Sequence, residues 1–216
     1  MSVSAVIPAF NEENTVGGIV SVLTTVPEIS EIIVVSDGST DATSEVARRA
    51  GAHVIELQKN LGKGGAMKVG INACRFDIVL FLDADLIGLT TDHVKSLIYP
   101  VISRQAAVTI GIFGKGRLAT DLAQFLAPYL SGQRCVRKEL LTQIDCLEAT
   151  RFGVEVALTK YVKEHNIDTM EIDLAGMSHV MKEEKMGFAK GLAARMKMYW
   201  EIAKMVKETN GTKERE

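Results

Sequence analysis

Little in this chain points toward an oxidising compartment, a nucleic acid or a lipid bilayer. Its 216 residues include three cysteines, Cys74, Cys135 and Cys146. An odd, scattered set excludes a disulfide framework and suits a reducing compartment. The spacing also lacks the paired pattern of a zinc site. Net charge is −2, so no basic field marks a nucleic-acid binder. No apolar run reaches the ~20 residues that a membrane-spanning helix needs. The first strand pattern, Val3-Ser4-Ala5-Val6-Ile7-Pro8, is not preceded by a basic stretch and a signal-type apolar segment. Internal repeats and low-complexity linkers are missing too. The expectation is a soluble, cytoplasmic protein.

What is present is core material: 47% of the residues are hydrophobic and 24% charged, enough for one large domain. Short apolar runs alternate with helical patterns. Strands are expected at Val3–Ile7, Glu31–Ser36, His53–Leu57, Ile78–Asp83 and Ala106–Ile112, and helices at Glu12–Leu23, Asp41–Ala50, Lys63–Ala73 and Thr91–Ser103. This β-α order implies an α/β fold with a mostly parallel sheet flanked by helices. Right-handed crossovers bring the strand C-terminal ends to one edge, where ligands of such sheets bind. After residue 112 the texture changes. Helices are expected over Leu118–Leu130, Arg137–Ile144 and Gly153–Glu164, an extended segment over Thr169–Leu174, and a long amphipathic helix over Gly187–Glu208. The division is 1–112 and 113–216, two halves of one continuous domain.

Polar groups gather at the strand tips. Asn11 and Glu12 follow the first strand, Asp37 the second, Lys63 the third, and Asp83 and Asp85 the fourth. The last pair ends an apolar run, Ile78-Val79-Leu80-Phe81-Leu82. Carboxylates brought to the tip of a core strand need a positive partner, and a divalent cation shared with a phosphate is the usual one. Asp37, an acceptor-only carboxylate, suits a nucleobase N–H or a helix cap, a role open also to Ser39 and Asp41. Lys63 stands between two glycines at a helix start, a setting that favours anions. It fits neither a Walker A loop nor a dinucleotide fingerprint, because Gly64 and Met67 occupy the wrong places.

In order and spacing, Pro8-Ala9-Phe10-Asn11-Glu12-Glu13, Val35-Ser36-Asp37-Gly38-Ser39-Thr40-Asp41, Asn60-Leu61-Gly62-Lys63-Gly64 and Phe81-Leu82-Asp83-Ala84-Asp85 resemble the nucleotide-sugar-binding half of family 2 glycosyltransferases. The resemblance covers residues 2–112, and more loosely 130–155 through Ser131-Gly132-Gln133-Arg134. It implies a Rossmann-like GT-A fold and a donor pocket for a UDP- or GDP-sugar formed by Pro8, Ala9, Asn11, Glu12, Asp37, Lys63, Asp83 and Ala84. It implies Mg²⁺ or Mn²⁺ on Asp85, with His179 as a further ligand or else a hydrogen-bonded loop histidine. Asp83 is the catalytic-site acid that contacts ribose or metal-bound water. The general base is Glu155, with Asp145 or Glu148 as alternatives, although a helix start also accounts for Glu155. Ser131, Gly132 and Arg134 lie on the acceptor side. A second acid of the family is Ser36 here, which removes whatever contact that acid makes.

The acceptor is then a hydroxyl or a phosphate, on a polyprenyl or other lipid or on a small molecule. Soluble polyprenyl-phosphate sugar synthases and the retaining glucosyl-3-phosphoglycerate synthases are both similar. Arg134, Arg137 and Lys138 form a short basic group that suits a phosphate, or a solvated patch. The 187–208 helix is basic and amphipathic, which suits core or homodimer packing and also an anionic membrane surface. Two other classes remain. A sugar-1-phosphate nucleotidyltransferase needs a glycine- and arginine-rich first loop, where Pro8-Ala9-Phe10-Asn11-Glu12 stands. A non-catalytic nucleotide-sugar-binding protein has no need of an intact acidic pair.

Overall fold

The computed structural model describes residues 1–113, 131–143 and 154–179. The helices expected over Leu118–Leu130 and Gly187–Glu208, and the alternative bases Asp145 and Glu148, lie outside them. The chain divides into two units, Met1–Ser178 and His179–Glu216. The main sheet belongs to the first.

Seven strands form that sheet: β1 (Val3–Ala9), β2 (Ile29–Ser36), β3 (His53–Glu56), β4 (Ile78–Phe81), β6 (Val108–Ile112), β7 (Arg134–Arg137) and β8 (Thr169–Asp173), in the order β3-β2-β1-β4-β7-β6-β8. β1 pairs in parallel with both β2 and β4, β2 with β3, and β6 with β8. β7 alone runs antiparallel, between β4 and β6. The strand order reverses at β1, so a crevice opens beyond the tips of β1 and β4, the place where ligands of open α/β sheets bind. A second ladder pairs β5 (Leu86–Ile87) with β9 (Ser178–His179).

β1 is buried on both faces, which explains its near-continuous apolar run. Val3, Ala5 and Ile7 face the helices α1 (Val16–Thr24) and α4 (Thr91–Ile102) in one core layer. Val6, with Ile33, Val35, Val79 and Phe81, faces α3 (Gly62–Ala73) and α6 (Val154–Glu164) in the other. Gly70 sets the height of α3 above the sheet: a Cβ there would lie 2.4 Å from the Val6 side chain. That close approach brings the first turn of α3, with Lys63, down onto the strand tips.

Three expectations are corrected. The helix expected over Arg137–Ile144 is present as Lys138–Leu141 (α5), but its first expected residue, Arg137, ends β7, a strand not expected from the sequence. Pairing with β4 and β6 captures Arg134–Arg137 for the sheet. The first helix begins at Val16 rather than Glu12, because Asn11 takes a left-handed φ of 55° and Glu12–Thr15 form a turn whose Thr15 and Val16 N–H groups bond Glu12 O. β4 ends at Phe81, so Asp83 and Asp85 are separated by a turn at Ala84-Asp85 and not by strand alternation.

Candidate functional site

The loops after β1 and β2 are laced together by short polar side chains. Asn11 N–H donates to Ser39 Oγ (3.1 Å), and Thr40 N–H donates back to Asn11 Oδ1 (2.8 Å). Glu12 N–H reaches Thr43 Oγ1 (2.7 Å), Glu13 N–H reaches Asp41 Oδ2 (3.2 Å), and Ala42 N–H reaches Glu13 Oε2 (2.9 Å). Asp41 also accepts from the Thr43 N–H and hydroxyl at the start of α2 (Thr43–Arg49). Burial pushes the Asp41 carboxyl up, but these donors outweigh it and hold its pKa below the usual 3.8. Asp41, the residue before the Ala42 N-cap, therefore accepts the first N–H of α2, and Asp37 does not.

Asp37 is 3% exposed. Its N–H bonds Ala9 O, its Oδ1 accepts from Leu61 N–H at 2.7 Å, and its carbonyl accepts from the Asn60 amide at 3.1 Å. The β2 tip is thereby tied to the loop that starts α3. A shallow, open cavity of about 480 Å³ lies along this loop, lined by Leu57, Gln58, Lys59 and Leu61. Phe10 and Leu61 are exposed apolar side chains of the same edge.

Asp83 is the centre of the site. Lys63 Nζ lies 2.5 Å from its Oδ1, and the Gln133 amide Nε2 donates to its Oδ2 at 3.0 Å. Gly132 lies against both oxygens: a Cβ there would stand 2.3 Å from Oδ1 and 2.4 Å from Oδ2. Residues 63, 83 and 132–133 thus meet from three elements. β7 makes this meeting, since it runs against β4 and delivers its entry segment to the tip where β4 ends, with Arg134 opposite Phe81. Ser131, also at this corner, donates its hydroxyl to Gly111 O (2.5 Å).

The donor set around Asp83 and Asp85 is hard oxygen beside an ammonium and a helix N-terminus. Among the described residues no group of three His, Cys, Asp or Glu side chains could hold a metal ion. Asp83 and Asp85, two hard carboxylates in one short turn, would suit a hard divalent cation only if it took further ligands from outside these side chains, as from a bound phosphate. The Lys63 ammonium and the N-terminus of α3 lie beside Asp83, a setting that favours anions.

The other expected residues are distributed unevenly. Arg134 is 1% exposed, with Nε on Ser131 O and Nη1 on Thr159 Oγ1, both 2.8 Å. It braces the loop from beneath and does not present a cation to solvent. Arg137 bonds Val101 O (3.1 Å) and Lys138 bonds Cys74 O (2.7 Å). Both lie at the opposite end of the sheet, where Arg137 pairs Ile78, so the expected basic cluster beside the Asp83 edge does not form. Glu155 is the second residue of α6, and His179 ends β9. Both side chains lie outside the described set. Sequence reasoning missed Gln133, which was visible only as part of Ser131-Gly132-Gln133-Arg134.

Comparison with known proteins identifies the family of the chain. The profile of glycosyl transferase family 2 matches residues 4–155. A glucosyl-3-phosphoglycerate synthase from Mycolicibacterium paratuberculosis is 30% identical, over 73% of this chain and 58% of the relative. A dodecaprenyl-phosphate galacturonate synthase from Rhizobium johnstonii is 33% identical, over 77% of this chain and 61% of the relative. The chain thus spans about three fifths of the length of these curated relatives. Among solved structures, glucosyl-3-phosphoglycerate synthase from Mycobacterium tuberculosis, in complex with Mn²⁺, UDP-glucose and phosphoglyceric acid, superposes with a TM-score of 0.70 at 28% identity. The match covers 83% of this chain and 71% of that one. The chain belongs to glycosyl transferase family 2.

Proposed function

We propose that this family 2 member transfers a sugar from a UDP- or GDP-linked donor to a phosphate-bearing acceptor, in a reaction that requires Mg²⁺ or Mn²⁺. The observation that carries the reading is the Asp83 corner, where a strand-tip carboxylate, the Lys63 ammonium and the Gly132-Gln133 turn meet at the switch point of the sheet. Pro8, Ala9, Asn11, Glu12 and Asp37 border the nucleoside. Lys63 and the α3 N-terminus face the diphosphate. Asp83, Ala84 and Asp85 form the turn that meets ribose and cation. A divalent ion held there stabilises the charge that the nucleoside diphosphate gains as the glycosidic bond breaks.

Ser131 and Gly132 border the acceptor side, and Arg134 supports them from below rather than touching the acceptor. The relatives' names support a phosphate-bearing acceptor, since they are synthases of glucosyl-3-phosphoglycerate and of dodecaprenyl-phosphate galacturonate. The neighbour with Mn²⁺ and UDP-glucose supports a uridine donor and the cation. An acceptor phosphate oxygen is already anionic and needs no base. An acceptor hydroxyl must lose its proton, and Glu155 is the group proposed to take it. Holding donor and acceptor in line supplies much of the acceleration.

A thermal-shift panel of UDP, GDP and their hexose conjugates, with and without Mn²⁺, tests this reading. One nucleoside diphosphate is expected to stabilise the chain, and to do so more strongly with the metal. No shift with any of them would overturn it.

A further inference from the structure

We propose that Gln133 is a positioning residue for Asp83. Its amide fixes Oδ2, which leaves Oδ1 as the oxygen that exchanges the Lys63 ammonium for the donor's cation. The inference rests on the donor reading above and adds to it a residue and an order of events.

Gln133 is fully buried, and a buried amide is costly unless its polar atoms are matched. An ionised carboxylate only accepts, so the face of the amide toward Asp83 is its NH₂. The other face, Oε1, lies 3.2 Å from Ser131 Oγ, whose one hydrogen is directed to Gly111 O at 2.5 Å, so the bond to Asp83 is the one that orients the amide. The Gln133 backbone is held as well: its N–H donates to Ser131 Oγ at 3.2 Å and its carbonyl accepts from Gly111 N–H at 2.8 Å. Beneath it, Arg134 joins Ser131 O to Thr159 on α6. Gln133 is thus the tip of a bracket anchored in β6, β7 and α6, and Gly132 lets that tip touch Asp83.

Lys63 is a different kind of partner. Its side chain is 34% exposed, against 17% for Asp83, and its ammonium rides on a flexible four-carbon stem. One oxygen of Asp83 therefore sits on a fixed neutral donor and the other on a movable cation. A divalent cation brought by the donor would displace Lys63 from Asp83 more readily than Gln133. Released at the N-terminus of α3, the ammonium stands where phosphate oxygens are favoured. The same exchange that frees Oδ1 therefore gives Lys63 to the diphosphate. A neutral amide suits the fixed position because it orients the carboxylate without competing with the cation for charge.

Calorimetric titration of the full chain with UDP and GDP, in Mn²⁺ and in EDTA, tests the proposal on wild type, Gln133→Met, Asp83→Asn and the double variant. Gln133→Met is expected to weaken Mn²⁺-dependent binding about tenfold, the scale of one hydrogen bond to a charged group. Metal-free binding should change less than about twofold, and the substitution should have no further effect in the Asp83→Asn background. Mn²⁺ alone, titrated by electron paramagnetic resonance, should bind Lys63→Met more tightly than wild type, because a competitor for Oδ1 is gone. If Gln133→Met lowers the melting temperature too far for titration, Gln133→Asn, which withdraws the amide by one methylene, should give the same pattern at smaller size. Equal losses with and without Mn²⁺, full additivity with Asp83→Asn, or unchanged Mn²⁺ affinity in Lys63→Met would overturn the proposal. Wild type that binds neither UDP nor GDP would instead overturn the donor reading beneath it.

Discussion

Two carboxylate–cation pairs sit at opposite ends of the same sheet, and they are built differently. At the end where the parallel strands begin, Glu31 on β2 is only 7% exposed. It accepts from Ser4 Oγ at 2.6 Å, from the Arg75 backbone N–H at 3.0 Å and from Arg75 Nε at 2.7 Å. Two of those donors are anchored, one on a neighbouring strand and one in the backbone. At the end where the strands finish, Asp83 holds a fixed amide on one oxygen and a long, partly exposed lysine on the other. The first pair ties the β4 entry to β2. The second leaves a cation able to depart. An ion pair's work is read from how its partners are anchored and not from its distance, since the two lie at 2.7 and 2.5 Å.

The sharpest way to break the second pair is to fill the space beside it. Gly132→Ala puts a methyl group 2.3 Å from Asp83 Oδ1, in backbone held by the Ser131 and Gln133 bonds. Asp83 must move by about the length of a bond, and displacements of that order cost about a hundredfold in aligned sites. Mn²⁺-dependent nucleotide binding, followed by calorimetry, should fall by about that factor or more. The melting midpoint should fall modestly, by the equivalent of about 1–3 kcal/mol of overpacking. A variant that unfolds outright would show that the corner is a structural keystone; wild-type binding would show that Asp83 has slack.

Asp85→Asn removes charge from the same turn without crowding it. Its effect should be confined to metal: the Mn²⁺-linked part of UDP or GDP affinity should drop by about ten- to a hundredfold, the range set by loss of one charged ligand contact. Binding in EDTA should stay unchanged. Unaltered Mn²⁺ dependence in this variant would remove Asp85 from the cation site.

The contrast between the ends also explains what was legible in the sequence. The loops after β1 and β2 use Asn, Asp, Ser and Thr at turn positions, and their chemistry is local enough to read directly. Asp37 and Lys63 could be placed because a β-α repeat fixes where strands end. The Asp83 corner depends on β7, a four-residue strand that begins and ends with arginine and is too short to carry a periodic signal. Arg134 looked like a surface cation for the same reason, since its burial follows from β7 lying between β4 and β6. Gln133 and Gly132 acquire meaning only when residues about fifty positions earlier arrive beside them, and no local pattern encodes that.

The smaller predictions concern the other end. Burial raises the Glu31 carboxyl, but the Ser4 hydroxyl and the Arg75 backbone and guanidinium donors outweigh it, so its pKa lies below the ordinary 4.5. A carboxylate with a lowered folded-state pKa stabilises the fold above its unfolded pKa and loses that contribution as pH falls through the folded one. Glu31→Gln should therefore cost about 2 kcal/mol in urea denaturation at neutral pH, the scale of charged hydrogen bonds. The gap to wild type should narrow as pH drops below about 4, because wild-type Glu31 then takes up a proton as well. Mn²⁺-dependent nucleotide binding should not change. Ser4→Ala is the finer test, for Ser4 stands to Glu31 as Gln133 stands to Asp83, a neutral donor on one carboxylate oxygen. It also removes the acceptor for Phe76 N–H, at 3.3 Å. About 1 kcal/mol of stability should go, the scale of one hydrogen bond. Because the backbone N–H and guanidinium of Arg75 still hold Glu31, the carboxylate should keep most of its depressed pKa, and the acid limb of the stability profile should move only slightly toward neutral pH. A large move would mean that the neutral donor holds the carboxylate at this end too, and the two ends would then differ only in how exposed their cations are.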